Sequence, residues 1–160
     1  MVNPNDPHRP DIHIAPPLVF MAGFVFGFLL DRYVIALRIS GAAAREVALV
    51  GLVLMVLGVG LAIWGVLTFR HARTTIMPFR AASTMVRNGP YRFTRNPMYV
   101  GMALGYAGFA LVFNTVWPLL VLPLVVIAMV RLVITREEAY LESAFGEDYR
   151  AYKRDVRRWL

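Results

Sequence analysis

Two polar clusters in the carboxy-terminal half of the chain contain residues that could bind a polar ligand. The first, at 95–101, includes Asn96, Pro97 and Tyr99, and the second, at 136–141, includes Glu137 and Glu138. A carboxylate can accept hydrogen bonds from a ribose diol or pair with an ammonium group. A helix that starts at Pro97 would add free backbone N–H groups to the Asn96 amide and the Tyr99 hydroxyl. These residue types predict a pocket for a polar ligand without identifying that ligand.

An apolar hairpin must bring these clusters together, because a nearly charge-free stretch from Met98 to Ile134, broken only by Arg131, separates them. A helix needs roughly 20 mostly apolar residues to cross a bilayer. The segments that come close to this length are about Ala15–Leu30, Val47–Phe69, Met98–Phe113 and Val116–Val133. If the hairpin crosses a membrane and returns, both clusters lie at the same membrane face. We therefore predict an all-α integral membrane protein with about four transmembrane helices, formed by residues 1–160 as a single domain.

The composition favours a membrane location over a soluble protein that binds nucleic acid. The chain is 58% hydrophobic and carries a net charge of +7, whereas soluble domains are about 45–50% apolar. Basic residues cluster in the acid-free connection between the second and third apolar segments, at Arg70, Arg73, Arg80, Arg87, Arg92 and Arg95. Such an excess is typical of cytoplasmic connections. We predict cytoplasmic termini, a cytoplasmic ligand pocket and no nucleic-acid partner, while the oligomeric state stays open.

The two ends of the chain differ in character from the apolar segments. Residues 1–14 are polar and proline-rich, which predicts a flexible tail. Residues 137–160 are charged and amphipathic, which predicts a carboxy-terminal helix at the membrane interface, interrupted at Gly146. The chain has no cysteine, and His8 and His13 are better explained by a solvated tail than by metal binding. We predict no metal site.

The predicted helix boundaries place the polar clusters at helix ends. Pro97 is suited to the first turn of the third helix, which puts Asn96 near the N-cap. The fourth helix should end near Thr135, so that Glu137 and Glu138 lie at its negative end, where acids are unfavourable. A cationic or polyhydroxyl ligand would offset that cost.

Glycines recur in the second and third apolar segments. Gly101, Gly105 and Gly108 have helical spacing, and small residues allow membrane helices to approach closely, so we predict that they form a packing face. Gly58 and Gly60 could likewise pack against a neighbouring helix, or they could leave the backbone open to a ligand. The residues alone do not decide between these two roles.

The order and separation of three motifs resemble a known superfamily of membrane enzymes. The chain reads Arg95-Asn96-Pro97-Met98-Tyr99-Val100-Gly101, then Glu137-Glu138-Ala139-Tyr140-Leu141, then Phe145-Gly146-Glu147-Asp148-Tyr149-Arg150-Ala151-Tyr152. The region from about 80 to 156 thereby resembles the isoprenylcysteine carboxyl methyltransferase and phospholipid N-methyltransferase superfamily. The chain departs from the prenylcysteine branch at Asn96, where that branch has histidine, and at Val133, where it has a substrate-binding arginine.

The resemblance implies that S-adenosylmethionine is the methyl donor and assigns residues to its site. The implied cofactor contacts are Gly58, Gly60, Ser83, Val86, Tyr91, Asn96, Pro97, Tyr99, Glu137 and Glu138. Tyr99 and Glu138 are the candidates for catalytic assistance, and Arg131 and Arg136 are the candidates for contact with the acceptor.

The expected function is methyl transfer from S-adenosylmethionine to a lipid-like acceptor. The sequence leaves open which lipid is methylated and whether the methylated atom is nitrogen, oxygen or sulfur. Two alternatives remain: a non-catalytic membrane scaffold or sensor that retains the fold, and a membrane enzyme that resembles sterol reductases and binds NADPH.

Overall fold

The computed structural model of the protein describes residues 14–72 and 85–160, and the regular structure within these ranges is helical. The helices are α1 (Pro16–Tyr33), α2 (Ala44–His71), α3 (Pro97–Val112), α4 (Trp117–Met129), α5 (Thr135–Phe145) and α6 (Glu147–Asp155), with a short 3₁₀ turn at Gly89–Arg92 before α3. The all-α prediction is confirmed for this part of the chain. The predicted tail, apart from Ile14, and Ser83 lie outside the described residues.

Glycines bring α2 and α3 into close backbone contact. A Cβ atom added to Gly58 would lie 2.5 Å from the Gly101 carbonyl oxygen, and one added to Gly101 would lie 2.5 Å from the Gly58 carbonyl oxygen. Gly51 and Gly108 face each other in the same way one heptad further along, because residues seven apart lie on one helix face. The predicted packing face is confirmed for Gly101 and Gly108, whereas a Cβ added to Gly105 would meet nothing within 4 Å.

The predicted end of the fourth helix near Thr135 is wrong. A π-helical turn at Val130–Ile134 joins α4 to α5, so that Trp117–Phe145 forms one helix of 29 residues. Neither glycine nor proline occurs between Leu124 and Phe145, and these residues are the strongest helix breakers. The helix ends instead at Gly146, whose φ is +54°, at the position where the sequence predicts an interruption of the carboxy-terminal helix. The acidic pair therefore lies within a helix, and the expected conflict with a helix C-terminus does not arise.

Within residues 14–72 and 85–160, two helices are long and apolar enough to cross a membrane, Ala44–His71 and Trp117–Phe145, while Pro97–Val112 is apolar but shorter. Only 11% of the most apolar window of α2 is buried within the protein, which is unlike the core helix of a soluble protein. Large apolar side chains on α1, α2 and α4 are also exposed, and extended apolar surfaces mark contact with a membrane or with another protein. Two of the four predicted spans thus have structural support, and the four-span topology stays a prediction.

The connections α1–α2 and α3–α4 meet at one end of the helices. The Asn114 side chain accepts hydrogen bonds from the Ile39 and Ser40 amides at 3.1 and 3.0 Å and donates to the Ser40 carbonyl at 2.7 Å. Trp117 donates to the Ile35 carbonyl at 2.7 Å. These contacts join the α1–α2 connection to the α3–α4 connection near the carboxyl end of α3. The start of α3, at Pro97, lies at the opposite end of α3.

Candidate functional site

Tyr99 and Glu137 form a direct polar contact between α3 and α5. Tyr99 lies in the first turn of α3 and donates a hydrogen bond from its hydroxyl to Glu137 Oε1 at 2.7 Å. Tyr99 is buried and Glu137 is partly buried. The structure thus brings together one residue from each of the two polar clusters, and Glu137 Oε2 remains able to accept further hydrogen bonds.

Tyr91 has a buried hydroxyl group with no hydrogen-bond partner among the described residues. Its ring packs edge-on against Phe69, with the ring centroids 5.2 Å apart. Burial raises the pKa of Tyr91, and the neighbouring Tyr152 and Glu137 raise it further, so the phenol stays protonated at neutral pH. An unpaired buried donor costs about 1–3 kcal/mol. A ligand with an acceptor atom at this position would remove that cost.

Glu138 is held by two arginines. Its carboxylate accepts hydrogen bonds from Arg158 Nε at 3.0 Å and from Arg158 Nη2 at 2.5 Å, and Arg95 Nη1 lies 3.1 Å from Oε1. The Glu138 side chain is 9% exposed, and a buried carboxylate requires such partners. The predictions that Glu138 binds the cofactor and assists catalysis remain predictions, and in the structure both of its oxygens are engaged by arginine.

Asn96 connects the start of α3 to the carboxy-terminal segment. It occupies the predicted N-cap position, but its side chain forms no capping hydrogen bond. Instead Asn96 Nδ2 donates to the Arg158 carbonyl at 2.9 Å, and Thr94 Oγ1 donates to the same carbonyl at 3.0 Å. The Arg95 amide donates to the Arg157 carbonyl at 2.9 Å. The side chain and the carbonyl of Arg158 therefore contact both polar clusters.

Two tyrosines of α6 are buried next to the site and do not face solvent or lipid. Tyr149 and Tyr152 are 2% and 5% exposed, and the Tyr152 hydroxyl donates to the Tyr91 carbonyl at 2.7 Å. Burial raises the pKa of Tyr152 to about 12. The carboxy-terminal amphipathic helix is present as predicted, but these two rings contact protein, and the contact of the helix with a membrane interface stays a prediction.

The other predicted site residues are more widely distributed. Pro97 is buried at the start of α3, Gly58 contacts Gly101, and a Cβ added to Gly60 would meet nothing within 4 Å. Val86 is partly buried before the 3₁₀ turn. The side chains of Arg131 and Arg136 are exposed. The cofactor roles that the resemblance implies for Pro97, Gly58, Gly60 and Val86 remain predictions. The acceptor contacts suggested for Arg131 and Arg136 also remain predictions.

An apolar groove of about 460 Å³ lies between α1, α2 and α3. Its walls include Phe20 and Phe24 from α1, Val59 from α2, and Gly101 and Met102 from α3. Met102 is one helical turn from Tyr99, so the groove lies close to the Tyr99–Glu137 pair along α3. The sequence gives no sign of this groove, because its lining residues are typical of any apolar helix surface.

Arg95, Thr94 and Arg158 are among the polar residues of this region that were not assigned to the site from the sequence. Arg95 is the first residue of the motif at 95–101, but its position also fits the basic excess of a cytoplasmic connection. Arg158 has no motif around it. It lies 20 residues from Glu138 and 62 residues from Asn96 along the chain, so only the fold reveals its contacts.

The comparisons with known proteins agree with the motifs. The protein-S-isoprenylcysteine O-methyltransferase of Schizosaccharomyces pombe is 35% identical over 72 residues, which are 45% of this chain and 30% of that protein. An uncharacterized protein of Haemophilus influenzae is 70% identical over 27 residues, which are 17% of this chain and 43% of that protein. The chain thus spans less than half the length of either relative. No solved structure matches the chain significantly.

The match to a protein family is broader than either pairwise match. Residues 47–148 match the phospholipid methyltransferase family. This range is more than half of the chain, and it contains most of α2, all of α3, α4 and α5, and the Tyr99–Glu137 pair. The resemblance inferred from the sequence is confirmed. The chain belongs to the phospholipid methyltransferase family.

Proposed function

We propose that the protein is a membrane methyltransferase that uses S-adenosylmethionine to methylate a lipid-like acceptor. The observation that carries this proposal is the grouping of Tyr99, Glu137 and the unpaired Tyr91 hydroxyl at one end of α3. This grouping lies inside the range that matches the family. It offers a carboxylate and a protonated phenol in partly water-excluded surroundings.

The donor set fits the polar groups of S-adenosylmethionine. Glu137 can accept hydrogen bonds from a ribose diol or pair with an ammonium group, and Tyr91 can donate to an acceptor atom. When bound, S-adenosylmethionine supplies a methyl group already activated on a sulfonium sulfur. Glu137 and Tyr91 then bind and orient the cofactor, and Tyr99 keeps the Glu137 carboxylate in place. Pro97, Asn96 and Val86 remain proposed contacts on the basis of family resemblance.

The apolar groove suits the hydrocarbon part of the acceptor. Its volume of about 460 Å³ is within the range of about 300–1,000 Å³ that is common for ligand pockets. The groove passes near Gly101, two residues after Tyr99. An acceptor chain in this groove would place its reactive end near the proposed donor site. Arg131 and Arg136, exposed on the Trp117–Phe145 helix, remain proposed contacts for an acidic headgroup.

The proposed reaction is direct transfer in line with the departing sulfur. Holding the nucleophile and the methyl group in line accounts for much of the barrier reduction in such reactions, and exclusion of water strengthens the electrostatic interactions. An amine acceptor must lose a proton, whereas a carboxylate acceptor need not. Both candidates for catalytic assistance already have partners, because Glu138 is engaged by Arg95 and Arg158 and the Tyr99 hydroxyl donates to Glu137. Tyr99 and Glu138 therefore both remain proposed candidates.

Methyl transfer in lipid nanodiscs tests this proposal. The purified protein is incubated with S-adenosylmethionine labelled in the methyl group and with a lipid extract, and label in the lipid fraction is measured. We expect transfer by the wild-type protein and by Glu142→Gln, and loss of transfer in Glu137→Gln. Glu142 is a suitable control because it lies on the same helix and pairs with Lys153 at 2.9 Å, away from Tyr99. Cofactor binding without transfer to any lipid would favour the scaffold or sensor alternative.

A further inference from the structure

The carboxy-terminal segment after residue 148 holds the site together although it lies beyond the family match. The Tyr152 hydroxyl donates to the Tyr91 carbonyl, and the Arg158 carbonyl accepts hydrogen bonds from Thr94 and Asn96. Trp159 packs against the apolar core. Three residues of the proposed cofactor site, Tyr91, Asn96 and Glu138, thus contact this segment directly.

Arg158 connects the two elements that carry the Tyr99–Glu137 pair. Its guanidinium binds Glu138, which is adjacent to Glu137 on α5, with distances of 3.0 and 2.5 Å. Its carbonyl binds Asn96 at 2.9 Å, three residues before Tyr99. The Tyr99–Glu137 hydrogen bond is a direct polar contact between α3 and α5. Arg158 therefore provides a second polar link between the start of α3 and α5, through its contacts with Asn96 and Glu138.

We propose that Arg158 is a positioning residue that fixes the distance between the start of α3 and the acidic pair of α5, and thereby the Tyr99–Glu137 geometry that binds the cofactor. This inference rests on the proposed function. The planar guanidinium is suited to this role because it can bind both oxygens of one carboxylate in a fixed orientation. In the structure its Nε and Nη2 atoms each donate to a different oxygen of Glu138.

Arg157 provides a matched control within the same segment. It has the same side chain, is adjacent in sequence and is exposed. Its contact with the site is made by its backbone carbonyl, which accepts a hydrogen bond from the Arg95 amide at 2.9 Å. A substitution of Arg157 keeps that carbonyl, so loss of charge near the carboxy terminus can be separated from loss of the Arg158 contact.

Calorimetry of S-adenosylmethionine binding to the full chain in nanodiscs tests the inference. We expect Arg158→Gln to raise the Kd about tenfold or more, Arg158→Lys to give an intermediate value, and Arg157→Gln to leave the Kd unchanged. The double variant Glu138→Gln with Arg158→Gln should bind S-adenosylmethionine no more weakly than Glu138→Gln alone, because both substitutions remove the same Arg158–Glu138 contact. Near-UV circular dichroism at the binding temperature confirms that each variant is folded.

The outcomes separate this inference from the proposed function. A wild-type protein that binds no S-adenosylmethionine would overturn the proposed function, and the positioning role with it. Binding by the wild type with an unchanged Kd in folded Arg158→Gln would overturn only the positioning role. Equal losses in Arg157→Gln and Arg158→Gln would also overturn it, because the effect would then follow the charge of the segment. If Arg158→Gln does not fold, the Kd of Arg158→Lys tests the positioning role in its place, and an unchanged Kd in that variant would overturn the role.

Discussion

The unpaired hydroxyl of Tyr91 gives opposite expectations for stability and for binding. Replacing Tyr91 by Phe removes a buried donor that has no partner among the described residues, so the free protein should be as stable or up to about 1–3 kcal/mol more stable. The same change removes a proposed ligand contact, and the affinity for S-adenosylmethionine should fall several-fold. Thermal unfolding and calorimetry of the same preparation measure both effects.

Tyr152→Phe is the control for this prediction. The Tyr152 hydroxyl donates to the Tyr91 carbonyl at 2.7 Å, so its removal should lower stability by about 1 kcal/mol. A Tyr91→Phe protein that loses stability as Tyr152→Phe does, with unchanged affinity, would show that the Tyr91 hydroxyl has a structural partner and no ligand role.

At the scale of residues, the motifs predicted Tyr99 and Glu137 but could not predict how their neighbours are paired. Glu138 and Asn96 are as prominent in the motifs as Glu137, yet both are bound to Arg158. The reason is physical: a buried charge or amide is satisfied by whatever the fold brings near it. Sequence spacing gives no information on a partner that lies at the far end of the chain.

Close contact of α2 and α3 predicts that neighbouring glycines differ sharply in tolerance. Gly58→Ala places a Cβ atom 2.5 Å from a backbone oxygen that cannot move away easily, and overpacking of this kind costs about 1–3 kcal/mol. Gly60→Ala meets nothing within 4 Å and should leave stability unchanged or raise it by up to about 1 kcal/mol. Melting midpoints in one detergent compare the two variants.

Gly101→Ala and Gly105→Ala repeat this comparison on the other helix. A Cβ atom at Gly101 would lie 2.5 Å from the Gly58 carbonyl oxygen, whereas one at Gly105 would meet open space. Equal stability of Gly58→Ala and Gly60→Ala, or of the pair on α3, would contradict the packing of α2 against α3 described above.

The apolar segments predicted the helices well, but not where the last long helix ends. Hydrophobicity falls at Thr135, and the sequence analysis took this change as a helix end. Helical backbone hydrogen bonding continues past Thr135, because Thr135–Phe145 contains neither glycine nor proline, the residues that break helices most strongly. A change from apolar to polar side chains thus marks a change of surroundings along one helix. The glycine at 146, with its positive φ, is the actual signal for termination.

For the whole molecule, the predicted four-span arrangement determines which helix ends lie on the same side of the membrane. Gly41 lies in the exposed α1–α2 connection, and Phe93 is 66% exposed near the start of α3, at the other end. Because the chain contains no cysteine, Gly41→Cys and Phe93→Cys each introduce a unique thiol. A membrane-impermeant maleimide should label Phe93→Cys from the cytoplasmic side and Gly41→Cys from the opposite side.

Labelling of both variants from the same side would contradict the predicted four-span arrangement. The basic connection before α3 and the apolar surface of α2 support that arrangement at the level of composition, and Ala44–His71 and Trp117–Phe145 support it by length. Helices α1 and α3, with 18 and 16 residues, are shorter than the roughly 20 residues of a typical span.

Calorimetric binding of S-adenosylmethionine to the wild-type protein, to Glu137→Gln and to Glu142→Gln in nanodiscs tests the proposed role of Glu137 most directly. That role predicts saturable binding by the wild type, at least tenfold weaker binding by Glu137→Gln, and wild-type affinity for Glu142→Gln. The expected loss follows from removal of a partly buried carboxylate that hydrogen-bonds Tyr99 at 2.7 Å. Equal affinity of folded Glu137→Gln and wild type, or no binding by folded wild-type protein in the presence of lipid, would contradict it.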